Sequence, residues 1–125
     1  MALRDDVAKK ITTKTKAIMA VHVYGHACDM DALLRLTRKH GLFLVEGCAE
    51  AFGSHYKNKH VGVFGDIATY SFFGNKTITT GEGGMLVTND ATIHERAVHY
   101  KGQGTRTCGS VLMSSSFMMV FILPS

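Results

Sequence analysis

Asp66-Ile-Ala-Thr-Tyr-Ser-Phe-Phe-Gly-Asn-Lys-Thr-Ile-Thr-Thr-Gly-Glu-Gly-Gly-Met85 is the stretch that decides how the rest of the chain is read. Ile67 to Phe73 is a β-favouring apolar run that breaks at Gly74. One lysine, Lys76, then stands between that break and the glycines at 81, 83 and 84. The pattern predicts a strand that delivers an amine to a place where backbones approach closely. Phe72, Phe73 and Ile78 are expected to take the ammonium out of water, which favours the neutral amine that attacks a carbonyl and holds it covalently. Ser71, on the same approach, offers a hydroxyl to a phosphate oxygen. Lysine, hydroxyl and close-approach glycines are the parts that a pyridoxal phosphate site uses.

Taken singly, the same residues also read as a solvated loop lysine followed by a glycine turn, and that reading stays open at this point. A phosphate loop does not, because Lys76 follows Asn75 and no glycine lies five residues before Gly74. Asn75-Lys76-Thr77 is formally a glycosylation acceptor in a chain with no sign of export.

The composition narrows the class. The 125 residues suffice for one domain with a modest core, and 46% hydrophobic with 19% charged residues excludes disorder as a description of the whole. The net charge of +4 and pI near 9.1 owe much to Lys9, Lys10, Lys14 and Lys16. No aromatic platform accompanies these lysines, so they predict a solvated face and no nucleic-acid partner. Cys28, Cys48 and Cys108 cannot all pair within one chain, which fits reduced thiols in a cytoplasm. Asp5 and Asp6 stand where an export signal needs basic and then apolar residues, and no apolar run reaches spanning length, so no membrane association is expected.

Along the chain, Arg4 to Ile11 predicts a short amphipathic helix, and Ala17 to Val23 a strand buried on both faces. Asp29 is placed to cap a helix with a Met30, Leu33, Leu34, Leu36 stripe, which Gly41 ends. Leu42 to Val45 is the next strand, completing a βαβ unit. Ser54 to Gly65 reads as a surface excursion. Ile67 to Phe73 and Met85 to Thr88 are further strands, and Asp90 caps a helix reaching about Lys101. Strands and helices are thus expected to alternate to Gly104 in an α/β fold, a mainly parallel sheet with flanking helices. His22, His26, Cys28 and Asp29 are considered as a metal set, but no second cluster at a recognised spacing accompanies them, so no metal is expected.

Four motifs now stand in order: Val21-His22-Val23-Tyr24-Gly25 with Cys28-Asp29-Met30-Asp31; Val45-Glu46-Gly47-Cys48-Ala49-Glu50-Ala51; Gly65-Asp66 leading into Ser71-Phe72-Phe73-Gly74-Asn75-Lys76; and Thr79-Thr80-Gly81-Glu82-Gly83-Gly84-Met85. With them, the chain from about Ile11 to Gly104 resembles the DegT/DnrJ/EryC1/StrS family of pyridoxal-phosphate-dependent sugar-nucleotide aminotransferases. The resemblance implies part of the large domain of a type I aminotransferase fold over residues 1–104, with residues 105–125 an unmatched apolar tail. It implies pyridoxal 5'-phosphate as cofactor, a 4-keto-6-deoxy sugar nucleotide as substrate, L-glutamate as amino donor, and a cytoplasmic homodimer for the intact protein.

Residue by residue, the resemblance puts Lys76 in the place of the lysine that binds the cofactor covalently and then shuttles the proton. It puts Ser71 on the cofactor phosphate and Glu50 beside the ring. His22 either lines the pocket or is a satisfied core histidine. Gly47 stands where the family pattern has an aspartate paired with the protonated ring nitrogen, and Glu46 cannot replace it because neighbouring strand residues face opposite ways. The family's further phosphate-binding segments and its small domain have no counterpart here. From Thr105 the character changes: one charge, three methionines, and a Phe117 to Leu123 run that needs a sheet to join or else forms an exposed patch. Such a break is expected of a frame change or an erroneous gene end.

Overall fold

A computed structural model describes residues 2–101 and 118–122, with side chains from Asp6 to Lys101. In chain order it contains α1 (Ala2–Lys10), β1 (Ala17–Val21), α2 (Met30–His40), β2 (Phe43–Gly47), a hairpin of β3 (His55–Tyr56) and β4 (Lys59–His60), β5 (Ile67–Ser71), β6 (Gly84–Thr88), α3 (Ala91–Lys101) and β7 (Met118–Ile122). Five strands form one sheet in the order β1-β2-β5-β6-β7. All pair in parallel except β5 with β6.

The α2 boundaries follow from the residues that set them. The Asp29 carboxylate accepts the Ala32 N–H at 3.1 Å, and Gly41 ends the helix at φ +62, a left-handed conformation that costs glycine little. Met30, Leu33 and Leu34 lie over Ile18, Ala20 and Leu44, giving one of the two cores. The second gathers Cys48, Ala51, Val61 and Ala68. Asp66 locks β2 to the start of β5: its carboxylate accepts the Leu44 N–H at 2.7 Å and its N–H donates to the Leu44 carbonyl at 2.9 Å. A Cβ at Gly65 would lie 2.5 Å from that carbonyl, so only glycine permits the approach.

Three expectations are corrected. Among the described residues the β1 strand is covered on one face only: Ala20 faces α2, whereas Met19 is 61% and Val21 51% exposed, and Phe43 beside them on β2 is 58% exposed. A continuous apolar run does not say whether its second face has a partner. Strands and helices do not alternate throughout, because β5 turns directly into antiparallel β6 through the loop that carries Lys76. Val61, within the Ser54 to Gly65 excursion, is a core residue. Residues 105–117 and 123–125 of the C-terminal tail lie outside the described residues, while Met118–Ile122 continues the sheet beside β6.

Candidate active site

The carboxyl ends of parallel strands β1, β2 and β5 come together, and each is followed by a segment that contributes side chains. After β1 the chain makes a tight turn in which Tyr24 has φ +51. After β2 a turn closed by the Ala51 N–H on the Cys48 carbonyl presents Glu50, whose carboxylate accepts the Tyr24 N–H at 3.2 Å. After β5 the lysine loop is pinched at its neck. The Phe72 N–H donates to the Gly83 carbonyl at 2.9 Å, and the Phe72 carbonyl accepts the Thr80 N–H and the Thr79 hydroxyl at 3.1 and 3.0 Å.

Within that loop the Lys76 N–H donates to the Phe73 carbonyl, and Lys76 Nζ lies 3.8 Å from Glu50 Oε1. The lysine side chain is only 20% exposed. A cavity of about 640 Å³ opens between these segments, lined by Tyr24, Gly25, Glu50, Phe52, Ser54, Asn75, Lys76 and Thr77. Its size suits a small organic molecule. In its neutral form an amine in such a cavity can condense with a carbonyl, expelling water, and once freed again it can take up and return a proton.

Of the residues expected from sequence, Lys76 and Glu50 share this cavity. Ser71 ends β5 half-buried and outside the lining; its Oγ accepts the Phe73 N–H at 3.4 Å, which leaves its own proton free to donate. The shielding expected from Phe73 and Ile78 is not there, since both are exposed in the loop; Phe52, which packs edge-on against Phe72 and Tyr70, lines the cavity. Gly47 is buried at the end of β2, and a Cβ there would meet Val21 Cγ2 at 3.4 Å.

His22 is the satisfied core histidine: fully buried, it accepts the Cys28 N–H at Nδ1 (3.1 Å), so Nε2 carries the proton shared with Glu46 at 3.2 Å. Asp29 is taken by the α2 cap and by the Tyr56 hydroxyl, and Cys28 Sγ donates to the Val21 carbonyl. The His22, His26, Cys28, Asp29 set is therefore not assembled among the described residues.

Glu46 is the residue that sequence reasoning undervalued. Its buried carboxylate accepts His22, the Gly62 N–H at 2.7 Å, the Phe64 N–H at 2.8 Å and the Gly65 N–H at 2.6 Å. Burial alone raises this carboxyl, but the hydrogen bonds from His22 and the three amides outweigh it and hold it below the usual carboxylate range. The signal was a lone acid in an apolar strand followed, sixteen residues on, by Gly62-Val-Phe-Gly65.

Residues 3–116 match the DegT/DnrJ/EryC1/StrS aminotransferase family. The chain belongs to this family. It is 66% identical over 99 residues to the GDP-perosamine synthase of Escherichia coli O157:H7, a match covering 79% of this chain and 27% of that protein. It therefore spans about a quarter of the length of that relative. Among solved structures it resembles Helicobacter pylori PseC, an aminotransferase involved in the biosynthesis of pseudoaminic acid, with a TM-score of 0.79 and 32% identity over 87% of this chain and 29% of that one. It also resembles the E. coli GDP-4-keto-6-deoxy-D-mannose-3-dehydratase with bound hydrated pyridoxal phosphate, with a TM-score of 0.68 and 29% identity over 76% of this chain and 24% of that one.

Pyridoxal phosphate is the cofactor of the family, and the local chemistry fits its anchor: an amine, a carboxylate and polar groups around a cavity of suitable volume. Gly47 carries no side chain, and the carboxylate of the neighbouring Glu46 is turned to the opposite face and fully engaged.

Proposed function

We propose that this chain carries the lysine-bearing part of a sugar-nucleotide aminotransferase that resembles GDP-perosamine synthase, acting on a 4-keto-6-deoxy sugar nucleotide with L-glutamate as amino donor. The observation that carries this reading is Lys76 Nζ, withdrawn from solvent, 3.8 Å from Glu50 Oε1 in the cavity at the carboxyl ends of the parallel strands. Bound pyridoxal phosphate supplies an electron sink for cleavage of the substrate C–H bond. Lys76 would have two tasks: to anchor the cofactor through Nζ, and, when that amine is free, to hold and return a proton in the cavity. Glu50 keeps that amine aimed into the cavity and the Tyr24 turn in place. Ser71 ends β5 just before the lysine loop, outside the cavity lining, and its unengaged hydroxyl would be the donor to the cofactor phosphate.

On this reading residues 1–104 belong to the large cofactor-binding domain, and an intact protein of this kind works as a cytoplasmic homodimer. No helix among the described residues is long and apolar enough to cross a membrane. Gly47 favours a second reading, a catalytically impaired member of the family, because nothing at that position holds a proton on the ring nitrogen.

Mixing the purified chain with pyridoxal phosphate, reducing with borohydride and mapping the modified peptide tests the first reading. A pyridoxyl group on Lys76, absent from a Lys76→Ala variant, is expected. Labelling spread over surface lysines, or none, overturns it. A chain labelled at Lys76 that turns over only as the Gly47→Asp variant supports the second reading.

A further inference from the structure

The β3–β4 hairpin lies outside the site just described except where Ser54, at its base, reaches the cavity wall. Its two-residue loop has Lys57 at φ +47 and Asn58 at φ +64, the arrangement of a type I′ turn whose twist suits a tight hairpin. Tyr56 pairs with Lys59, His55 with His60, and the Val61 N–H donates to the Ser54 carbonyl at 3.0 Å. In an antiparallel ladder hydrogen-bonded and non-hydrogen-bonded pairs alternate, which makes His55 and His60 a non-hydrogen-bonded pair, the kind whose side chains stand closest. Their ring centroids are 3.9 Å apart with planes tilted by 39°, and both residues are exposed.

Two imidazoles this close on one face of a hairpin can be brought onto a single ion. A metal bound at roughly 2.0–2.1 Å from each nitrogen needs those nitrogens about 3 Å apart, and rings whose centroids are 3.9 Å apart on exposed side chains are near enough to turn toward one ion. Imidazole suits the late first-row divalent cations, and solvent completes their coordination. The nearby charges do not block the approach: Lys57 is paired with Asp31 and lies over the Tyr56 ring at 5.5 Å, while Lys59 stands exposed in the neighbouring strand pair.

The buried His22, Glu46 and Cys48 group, whose ligand atoms lie within 4.8 Å of one another, offers no such site. Glu46 and both His22 nitrogens are already bonded, and burial pushes the Cys48 thiol up to about 12, away from the thiolate a metal requires.

We propose that His55 and His60 form a bidentate surface site for a late first-row divalent cation, of the class Ni²⁺, Cu²⁺ or Zn²⁺, which clamps β3 to β4. The test is calorimetric titration of the untagged, reduced chain with NiCl₂, beside His55→Ala, His60→Ala and the double variant. Circular dichroism checks that each variant keeps the parent's fold, which exposed positions should allow. One binding event per chain is expected in the parent. In each single variant it should weaken by about tenfold or more, to the same background as in the double variant, because a chelate loses its advantage when either arm is removed. An event that survives in either single variant, or a parent that binds no more tightly than the double variant, overturns the proposal.

Discussion

Glu46 shows how one residue governs a strand end. With four donors on a fully buried carboxylate, it fixes the Gly62 to Gly65 segment against β2 and so leaves the next residue, Gly47, facing the other side of the sheet. Glu46→Gln replaces one acceptor oxygen with a donor that faces amide donors, and is expected to cost about 2–4 kcal/mol in urea unfolding. Because the folded carboxyl is held below its usual range, its contribution is fully present above that range and is lost as pH falls through the lowered folded value. The parent should therefore lose stability on the acid side more steeply than E46Q, which unfolding midpoints measured from neutral pH down to pH about 3 would show.

At the neighbouring position, the Cβ of Gly47→Asp should be accommodated, since it meets Val21 Cγ2 at 3.4 Å, Met19 Cε at 3.6 Å and the Ala20 carbonyl oxygen at 3.7 Å, all ordinary contact distances. If the proposed function holds, the restored carboxylate should raise turnover by about 10² to 10⁴. It should also raise the fraction of chain labelled at Lys76 at limiting cofactor. Unchanged labelling and turnover would show that the glycine is not the dominant defect.

Among the elements, α2 and the β3–β4 hairpin are tied through one side chain. Asp29 caps the helix and also accepts the Tyr56 hydroxyl at 3.0 Å, with Lys57 reaching Asp31 on the next residue pair. Asp29→Ala should cost about 1 kcal/mol for the cap. It should also speed hydrogen exchange at Val61, whose N–H closes the hairpin on Ser54. Exchange that quickens in α2 alone would show that the Tyr56 contact carries nothing. The cap was legible in the sequence because Asp29 and Gly41 bracket a helical stripe, and local signals of that kind need no partner. The antiparallel return of β5 into β6 was not legible, since two apolar runs joined by a glycine-rich loop do not state their relative direction.

For the molecule as a whole, the notable feature is the sheet face opposite α2, where Met19, Val21 and Phe43 are exposed side by side across β1 and β2. A contiguous apolar face of this kind should bring copies together as concentration rises. Light scattering should report that association, and Met19→Lys combined with Phe43→Lys should suppress it; a parent that stays monomeric over the same range would overturn the expectation.

The amino-acid sequence by itself determined the βαβ unit, the caps of α2 and α3, the order of the motifs and the place of Lys76 in the loop after a strand, because these rest on short-range periodicity, turn chemistry and spacing. Only the tertiary structure decided that Glu50 faces Lys76 while Ser71 stands outside the cavity, that Glu46 is bound to four donors, and that one face of β1 is bare. Each of those depends on which distant segments meet, Tyr24 with Glu50 or Glu46 with Gly62, and such meetings are settled by packing across the sheet rather than by neighbours along the chain.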